Sequence, residues 1–284
     1  EPTFVSEPEL LFARLEDNGP TTAELAWKVT VLRKAEGEDP VGATYVLSAV
    51  DGSWLRRDEA IHYLLDVTGR IDARATAGSG SNDTVPSETP IPVPYISLSS
   101  SAGNVVTDRD GNFTIVGANS PVNITATFNG PFCNTNNDQG ADYSVTFTNV
   151  QPGQANVLEM NPNPTQFITA QANSQIHHGV VRQFIIDTTP GDTTADFTAV
   201  SNTNLNSTCN AYFDGFSTNY FEAGGGCSNT AFSNVVAHEL GHWLNVRYGT
   251  GNGGDGMGEG NADVLAMYTY DTPVVGEGFF NGSG

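Results

Sequence analysis

Two histidines four residues apart, with a glutamate directly after the first, carry the clearest chemical pattern in the chain. They are His238, Glu239 and His242, within the segment NVVAHELGHWLNV that runs from Asn234 to Val246. Apolar residues recur through this segment at the spacing of a helix. Because four residues make about one helical turn, both imidazoles project from one face and can hold the same zinc ion. Glu239 lies one step around the helix, where its carboxylate can exchange a proton with zinc-activated water.

A third zinc ligand is predicted in the segment GDGMGEGNADVLAMY. Glu259 lies seventeen residues after His242, and the apolar residues that follow Asp263 indicate a second helix. A set of two histidines and one glutamate leaves a coordination position open for water, which is expected of a catalytic rather than a structural zinc. Asp263, one turn after Glu259, is placed to accept the other ring N–H of a ligand histidine. The pattern therefore predicts metal-assisted hydrolysis, with Glu239 as the general base and then the general acid.

The segments VVAHELGHWLN and GMGEGNAD together resemble the fungalysin family of thermolysin-like gluzincin zinc metallopeptidases. The resemblance covers about residues 170 to 270. It implies a secreted endopeptidase that acts on a protein or peptide substrate and forms no covalent intermediate. Upstream, CNAYFDG resembles the edge strand that binds the substrate backbone in thermolysin-like enzymes. By that resemblance Asn210 and Ala211 hold the peptide main chain as an added strand.

Two departures from that family keep a second function open. Thermolysin-like enzymes continue past the third ligand into a helical lobe that closes the cleft and supplies a histidine for the oxyanion. Here Gly284 comes 21 residues after Asp263, and no histidine follows His242. We therefore expect the peptidase domain, 166–284, to lack most of that lobe, with Tyr248 as the candidate oxyanion group. The second function is an extracellular structural or adhesive protein, or a subunit of a homo-oligomeric or surface assembly, whose peptidase-like domain is degenerate or latent.

The charge balance excludes one large class of partner. The 284 residues include 32 Asp and Glu against 11 Lys and Arg, a formal net charge of -21. Since nucleic acids are bound mainly through clustered Lys and Arg, we expect no nucleic-acid partner. No apolar run approaches the roughly 18–20 residues that span a bilayer, so no membrane span is expected. The opening Glu1-Pro2 is typical of a processed chain rather than of a signal peptide.

The three cysteines indicate the cellular compartment in which the protein works. Cys209 and Cys227 flank an aromatic, glycine-rich segment at a separation of 18, which is typical of a disulfide in a secreted, extracellular protein. Cys133 is then a buried thiol, a partner for a cysteine outside this chain, or the true partner of one of the other two. The adjacent pair His177 and His178 is interpreted as structural or surface, because neighbouring helical residues point about 100° apart and seldom share a metal.

The first 75 residues are predicted to form a small separate module. Two strand-like runs, Leu25–Leu32 and Tyr45–Val50, precede a turn at Asp51-Gly52. The phrases AWKVTVL, YVLSAVDGSW and LLDVTGRI resemble the PepSY or FTP-like modules in pro-regions of thermolysin-like and fungalysin-like peptidases. That resemblance implies that residues 1–75 cover the cleft and keep the site latent. An unrelated small α+β domain is the alternative.

A linker and a β-sandwich are predicted next. Residues 76–93 are rich in Gly, Ser, Thr and Pro, as a linker is, and alternating apolar and polar residues predict a small antiparallel β-sandwich over residues 94–160. Its segment GNVVTDRDGNFTI resembles the carboxypeptidase-regulatory or transthyretin-like sandwich. Asp108, Asp110 and Asp138 are candidate Ca²⁺ ligands, although turn-forming acids of this kind are common without calcium.

The predicted fold class is α+β with several domains: a small α+β module, an antiparallel β-sandwich and an α+β gluzincin domain. The last domain begins near Gln166, where Ile176, Val180 and Phe184 recur at helical spacing. Five Asn-X-Ser/Thr sequons permit N-glycans in a eukaryotic source, at Asn82, Asn112, Asn123, Asn206 and Asn281.

Overall fold

The structure is a computed structural model in which the chain forms two compact units, 1–64 and 65–284. Helices and strands are mixed, and most strand pairs are antiparallel, so the predicted α+β class is confirmed. The boundary falls earlier than the end of the predicted 1–75 module, because residues 65–75 pair within the second unit. The described residues are 3–15, 22–33, 41–59, 65–78, 80, 88–118, 120–254 and 256–280.

The first unit contains one antiparallel sheet with the order β1-β3-β4-β5, and β2 also pairs with β3. The predicted strand pair is confirmed as β3 and β4. The first strand extends past its apolar run at both ends, whereas the second begins before its run and ends at Ser48, within it. Gly52 adopts a positive φ in the turn before β5, as the Asp-Gly signal predicts. The strands are β1 (Thr3–Val5), β2 (Glu9–Leu15), β3 (Thr22–Arg33), β4 (Val41–Ser48) and β5 (Trp54–Glu59).

One face of this sheet carries a row of large apolar side chains. The strand register places Leu10 opposite Trp27, Trp27 opposite Leu47, and Leu47 opposite Trp54. Trp54 also makes an edge-to-face contact with Tyr45, at 5.1 Å between ring centroids. Such cross-strand aromatic and aliphatic pairs stabilise a sheet by roughly 0.2–1 kcal/mol each.

Two four-stranded sheets begin the second unit, one with the order β10-β6-β14 plus β7 beside β6, the other β13-β11-β8-β9. Residues 88–92 of the predicted linker form β7, which pairs with β6. Residues 79 and 81–87 of that linker, with the sequon at Asn82, lie outside the described residues. The strands are β6 (Leu65–Thr76), β7 (Glu88–Pro92), β8 (Ser97–Ser100), β9 (Val105–Val106), β10 (Asn112–Ala118), β11 (Val122–Thr127), β13 (Ser144–Val150) and β14 (Ala155–Glu159).

The two sheets share one aliphatic core. Val67 and Ile71 from β6 lie in the same buried cluster as Leu98 from β8 and Ile124 from β11. Alternate residues of β10 and β11 are buried, as expected for strands with one face against a core. This arrangement agrees with the predicted β-sandwich, but its first strand is β6, which the sequence had placed in the preceding module.

A third, mixed sheet has the order β12-β15-β17-β16. Its first strand, β12 (Cys133–Asn137), was predicted to belong to the sandwich, and that assignment is wrong: it pairs in parallel with β15. Parallel partners need a long crossover connection, and the second half of the sandwich and the helix α1 (Gln166–Thr188) provide it. The other strands are β15 (Ala199–Leu205), β16 (Ala211–Phe213) and β17 (Thr218–Phe221), and β16 forms an outer edge.

Three helices complete the described part of this unit. They are α1 (Gln166–Thr188), α2 (Ser233–Arg247) and α3 (Met257–Tyr270), so all three predicted helices are confirmed. Thr165 caps α1 by accepting the N–H of Ile168. No helix among the described residues is long and apolar enough to span a bilayer.

Candidate metal centre

Helices α2 and α3 place the predicted ligands opposite one another. They pack closely because Gly241 on α2 lies against Ala262 on α3, where an added Cβ would approach the Ala262 Cα to 2.8 Å. A left-handed residue, Gly256 with φ of 81°, starts α3 after the connecting loop. His238 and His242 therefore face the first turn of α3, which carries Glu259.

The three predicted ligand atoms converge on one point. The Nε2 atoms of His238 and His242 are 3.1 Å apart. An Oε2 atom of Glu259 lies 3.3 Å from the first of them and 3.4 Å from the second. Among the described residues, this is the one group of three His, Cys, Asp or Glu side chains whose ligand atoms lie so close together.

Hydrogen bonds on the opposite ring atoms fix both histidines in the tautomer that binds a metal through Nε2. Nδ1 of His238 donates to Oδ1 of Asp263 at 2.8 Å, as the sequence predicted for this aspartate. Nδ1 of His242 donates to Oδ1 of Asn252 at 3.1 Å. With the proton on Nδ1, each neutral ring presents a bare lone pair at Nε2. Two such lone pairs facing each other at hydrogen-bond distance repel unless a cation lies between them.

The residues fit zinc. Four ligands arranged tetrahedrally at 2.0–2.1 Å from zinc are roughly 3.3 Å apart, close to the three observed separations. Burial and the neighbouring His242 lower the pKa of His238, which keeps it neutral at pH 7 and ready to coordinate. The group can therefore hold one metal ion.

Glu239 lies beside the ligands, on the same helix and largely buried. Burial, followed by repulsion from Glu259, raises the pKa of Glu239 from 4.5 to about 8, while a hydrogen bond from the backbone of Phe213 opposes the rise. Its Oε2 atom has no hydrogen-bond partner among the described residues. A carboxyl group in this state can hold a proton near neutral pH and release it, as a general acid and base must.

The ligands open into a cleft of about 610 Å³. One part of the lining is an apolar wall, and another part is the edge strand β16 with the residue that precedes it, Asn210. Asn210 and Ala211 thus lie at the cleft, where the sequence placed them. The apolar wall is formed by Val235, Met267, Val275 and Phe279.

Tyr248, the candidate oxyanion group, lies elsewhere. Its hydroxyl donates to Oδ2 of Asp192 at 2.6 Å, at the end of α2, and it is not among the residues that line the cleft. Burial, followed by the hydrogen bond to Asp192 and the charge of that carboxylate, raises the pKa of Tyr248 to about 12. The structure therefore gives Tyr248 a partner outside the cleft.

The three aspartates proposed for calcium do not form a ligand group. The Asp108 carboxylate accepts the backbone N–H groups of Asp110 and Asn112, which is the role of a turn former. Asp138 follows β12 in the third sheet, and its backbone N–H donates to Thr203. Among the described residues, the metal-ligand geometry is confined to the two histidines and Glu259.

The cysteines follow the favoured pairing. Cys209 and Cys227 form a disulfide, and Cys133 is a free, buried thiol, one of the three alternatives left open by the sequence. His177 and His178 are both buried in α1 and have separate partners, as interpreted. Nδ1 of His177 contacts the Tyr270 hydroxyl at 2.8 Å, and Nδ1 of His178 donates to the Ser174 carbonyl oxygen at 2.8 Å.

The residue that the sequence interpretation missed is Asn252. It lies in the glycine-rich loop between the ligand helices, GTGNGGDG, and its amide is the only one in that loop. That isolated amide is the signal available in the sequence. Because its neighbours are glycines, its hydrogen bonds are expected to go to residues outside the loop. Which histidine it bonds depends on how the loop folds back over α2.

A scan against protein-family models found no match for the chain, and a search of curated proteins found none either. The resemblance to the fungalysin family thus depends on the motifs in the sequence and stays a prediction.

Proposed function

We propose that this protein is a secreted zinc-dependent endopeptidase whose 166–284 region has a thermolysin-like, fungalysin-like arrangement. The observation that carries the proposal is the convergence of three lone pairs, on His238, His242 and Glu259, at separations that match zinc. The buried carboxyl of Glu239 beside them supports a hydrolytic rather than a structural site.

In the proposed reaction, proton transfer and the orientation of the ligand histidines are carried out by different residues. Zinc, when bound, polarises the scissile carbonyl and lowers the pKa of water. Glu239 accepts the proton of the attacking water and then delivers it to the leaving amine, so that the carboxyl returns to its starting state after each cycle. Asp263 and Asn252 hold the two histidine rings in the required tautomer.

A peptide substrate fits the form of the cleft. The outer edge of β16 borders the metal centre, and a peptide can pair with it as an added strand while its side chains alternate toward and away from the cleft. The apolar wall of the cleft, with Val235 and Met267, favours an apolar side chain next to the scissile bond. Among the described lining residues there is no Lys or Arg to bind a free terminal carboxylate, which favours cleavage within a chain over removal of a C-terminal residue.

The Cys209–Cys227 disulfide supports the secreted location, because disulfides persist in oxidising compartments. The absence of a spanning helix among the described residues is compatible with that location.

The test is zinc content together with hydrolysis of a generic unfolded protein such as casein, for the wild type and Glu239→Gln. We expect about one zinc per chain in both, and a loss of about 10²–10⁴ in kcat/KM for the variant, since it can no longer carry the proton. Glu222→Gln, a carboxyl change outside the cleft, is the matched control and should retain full activity.

Two other outcomes contradict the proposal. Zinc bound without hydrolysis by the wild type indicates a degenerate or latent site, the second function considered for this sequence. A wild type that binds no zinc removes the basis for the enzyme altogether.

A further inference from the structure

The Asn252 amide makes three hydrogen bonds around one ligand histidine. Its Oδ1 accepts the N–H at Nδ1 of His242, at 3.1 Å, and its Nδ2 donates to the backbone carbonyl oxygen of the same His242, at 3.0 Å. A third bond comes from Nδ2 of Asn245, which donates to the same Oδ1 at 3.0 Å. The loop residue thus binds both the side chain and the main chain of His242.

This arrangement determines which way the amide points. A carbonyl oxygen can only accept, so the atom of Asn252 that faces the His242 carbonyl must be the nitrogen. The oxygen then faces the imidazole, and the Nδ1 atom of His242 must carry the proton. The lone pair is left on Nε2, on the side of the metal centre.

Asn252 also contacts the start of the helix that carries the third ligand. An added Cβ on Gly258, the residue before Glu259, would approach the Asn252 Cα to 2.9 Å, so the loop lies directly on this turn. Nδ2 of Asn245 donates to the Gly258 carbonyl at 3.1 Å and ties the same turn to α2. The position of Glu259 relative to His242 therefore depends on the Asn245–Asn252 pair.

We propose that Asn252 is the positioning residue of His242, fixing the ring tautomer and the separation of His242 from Glu259, so that zinc affinity depends on it. The inference deepens the proposed function and depends on the same metal centre. The two histidines then differ, because His238 is oriented by a carboxylate, Asp263, and His242 by a neutral amide. A carboxylate orienter makes the ligand nitrogen more basic than an amide does.

The experiment measures zinc affinity by competition with a chelating dye, in the full chain, for Asn252→Leu, Asn252→Ala and Asn252→Asp. Leucine and alanine remove the acceptor, and we expect the zinc Kd to rise by about 10–100-fold. Aspartate keeps an oxygen for the Nδ1 proton, and its Kd should lie within about threefold of the wild type or below it. The d–d spectrum of the Co²⁺-loaded protein should change in the leucine and alanine variants and be retained with aspartate.

Thr250→Val is the matched control. It removes a hydrogen bond of the same loop, from the Thr250 hydroxyl to the Asn245 carbonyl at 3.0 Å, without touching His242. Its zinc affinity should equal that of the wild type. The melting temperature of each metal-free variant shows whether the fold is retained, and the comparison of alanine with aspartate gives a result even if the leucine variant does not fold.

Three outcomes overturn the inference. Equal zinc affinity in the wild type and in the leucine and alanine variants shows that Asn252 positions nothing. Equal weakening by aspartate and alanine shows that the bond to the His242 carbonyl anchors the loop and that the ring contact does not matter. A wild type without zinc affinity rejects the proposed function and this inference together, whereas the first two outcomes leave the proposed function intact.

Discussion

The sandwich half and the helical half of residues 65–284 bury side chains of different kinds. In the sandwich, the core is aliphatic and aromatic, with Ile71, Ile124 and Phe128 all 2% exposed or less. Along α1, by contrast, polar side chains are buried, among them Asn173 and His177. The first half is stabilised mainly by the non-directional hydrophobic effect, and the second also depends on hydrogen bonds between buried polar groups.

This difference matters for the candidate metal centre. Directional hydrogen bonds allow fewer side-chain arrangements than apolar packing does, so the helical half holds its side chains in defined positions. Asn173 shows the effect: it accepts the Thr76 N–H and donates to the Thr76 hydroxyl and to the Ala231 carbonyl, which lies just before α2. The helix that carries the ligands is thereby connected to a sandwich strand through one buried amide.

The largest predicted change in stability tests the sandwich half. Ile124→Ala removes a fully buried side chain between the two sheets and should lower the free energy of unfolding by about 4 kcal/mol, from lost burial plus the cavity. Urea denaturation measures it. The milder Ile124→Val should cost about 1 kcal/mol. Comparable losses from the two variants would mean that this core relaxes around a cavity and is not close-packed.

The corresponding substitution in the helical half is Asn173→Leu. The new side chain is more apolar, yet we expect a loss of about 3 kcal/mol because the Thr76 N–H and the Ala231 carbonyl are left buried without partners. Asn123→Leu is the control: Asn123 accepts the Asn149 N–H at the surface, and its loss should cost under about 1 kcal/mol. An Asn173→Leu protein more stable than the wild type would remove the distinction between the two halves.

The smallest effect depends on pH. Burial, together with the neighbouring His178, lowers the pKa of His177 from 6.5 to about 3. Between these two pKa values the unfolded chain therefore binds a proton at His177 that the folded chain does not bind. The stability contributed by the neutral ring is complete above pH 6.5 and is lost as the pH falls toward 3. At pH 5 the loss should be about 2 kcal/mol relative to pH 8.

His177→Gln supplies the reference for that measurement, because glutamine does not titrate and the other groups of the protein are common to both chains. The difference in unfolding free energy between the two proteins is followed from pH 8 to pH 5. A difference that does not change with pH would show that His177 becomes protonated in the folded protein.

Much of this structure could be predicted from local patterns. The helical spacing around His238 and His242, the second ligand helix with Glu259 and the strand pair β3 and β4 were all found where the sequence placed them. Each of these features involves residues close together in the chain, for which periodicity is a direct signal. The Cys209–Cys227 pair also has a local cue, its glycine-rich intervening segment.

The errors concern partners far apart in the sequence. Residues 88–92 looked like a linker because Pro and Thr dominate them, but they form β7, which among the described strands pairs only with β6. Pro is tolerated in such an edge strand. The strand β12 was assigned to the sandwich because it lies within residues 94–160, and its sequence, CNTNN, does not show that it pairs with a strand more than sixty residues later.

By itself, the sequence predicted the group of His238, His242 and Glu259 and the position of Glu239 beside it, because the pitch of a helix converts a four-residue spacing into a shared face. Tertiary structure alone decided that Asn252 hydrogen-bonds to His242 and that Tyr248 bonds to Asp192 away from the cleft. Those contacts depend on how loops and sheets close over large sequence separations, and no periodicity in the chain encodes such distances.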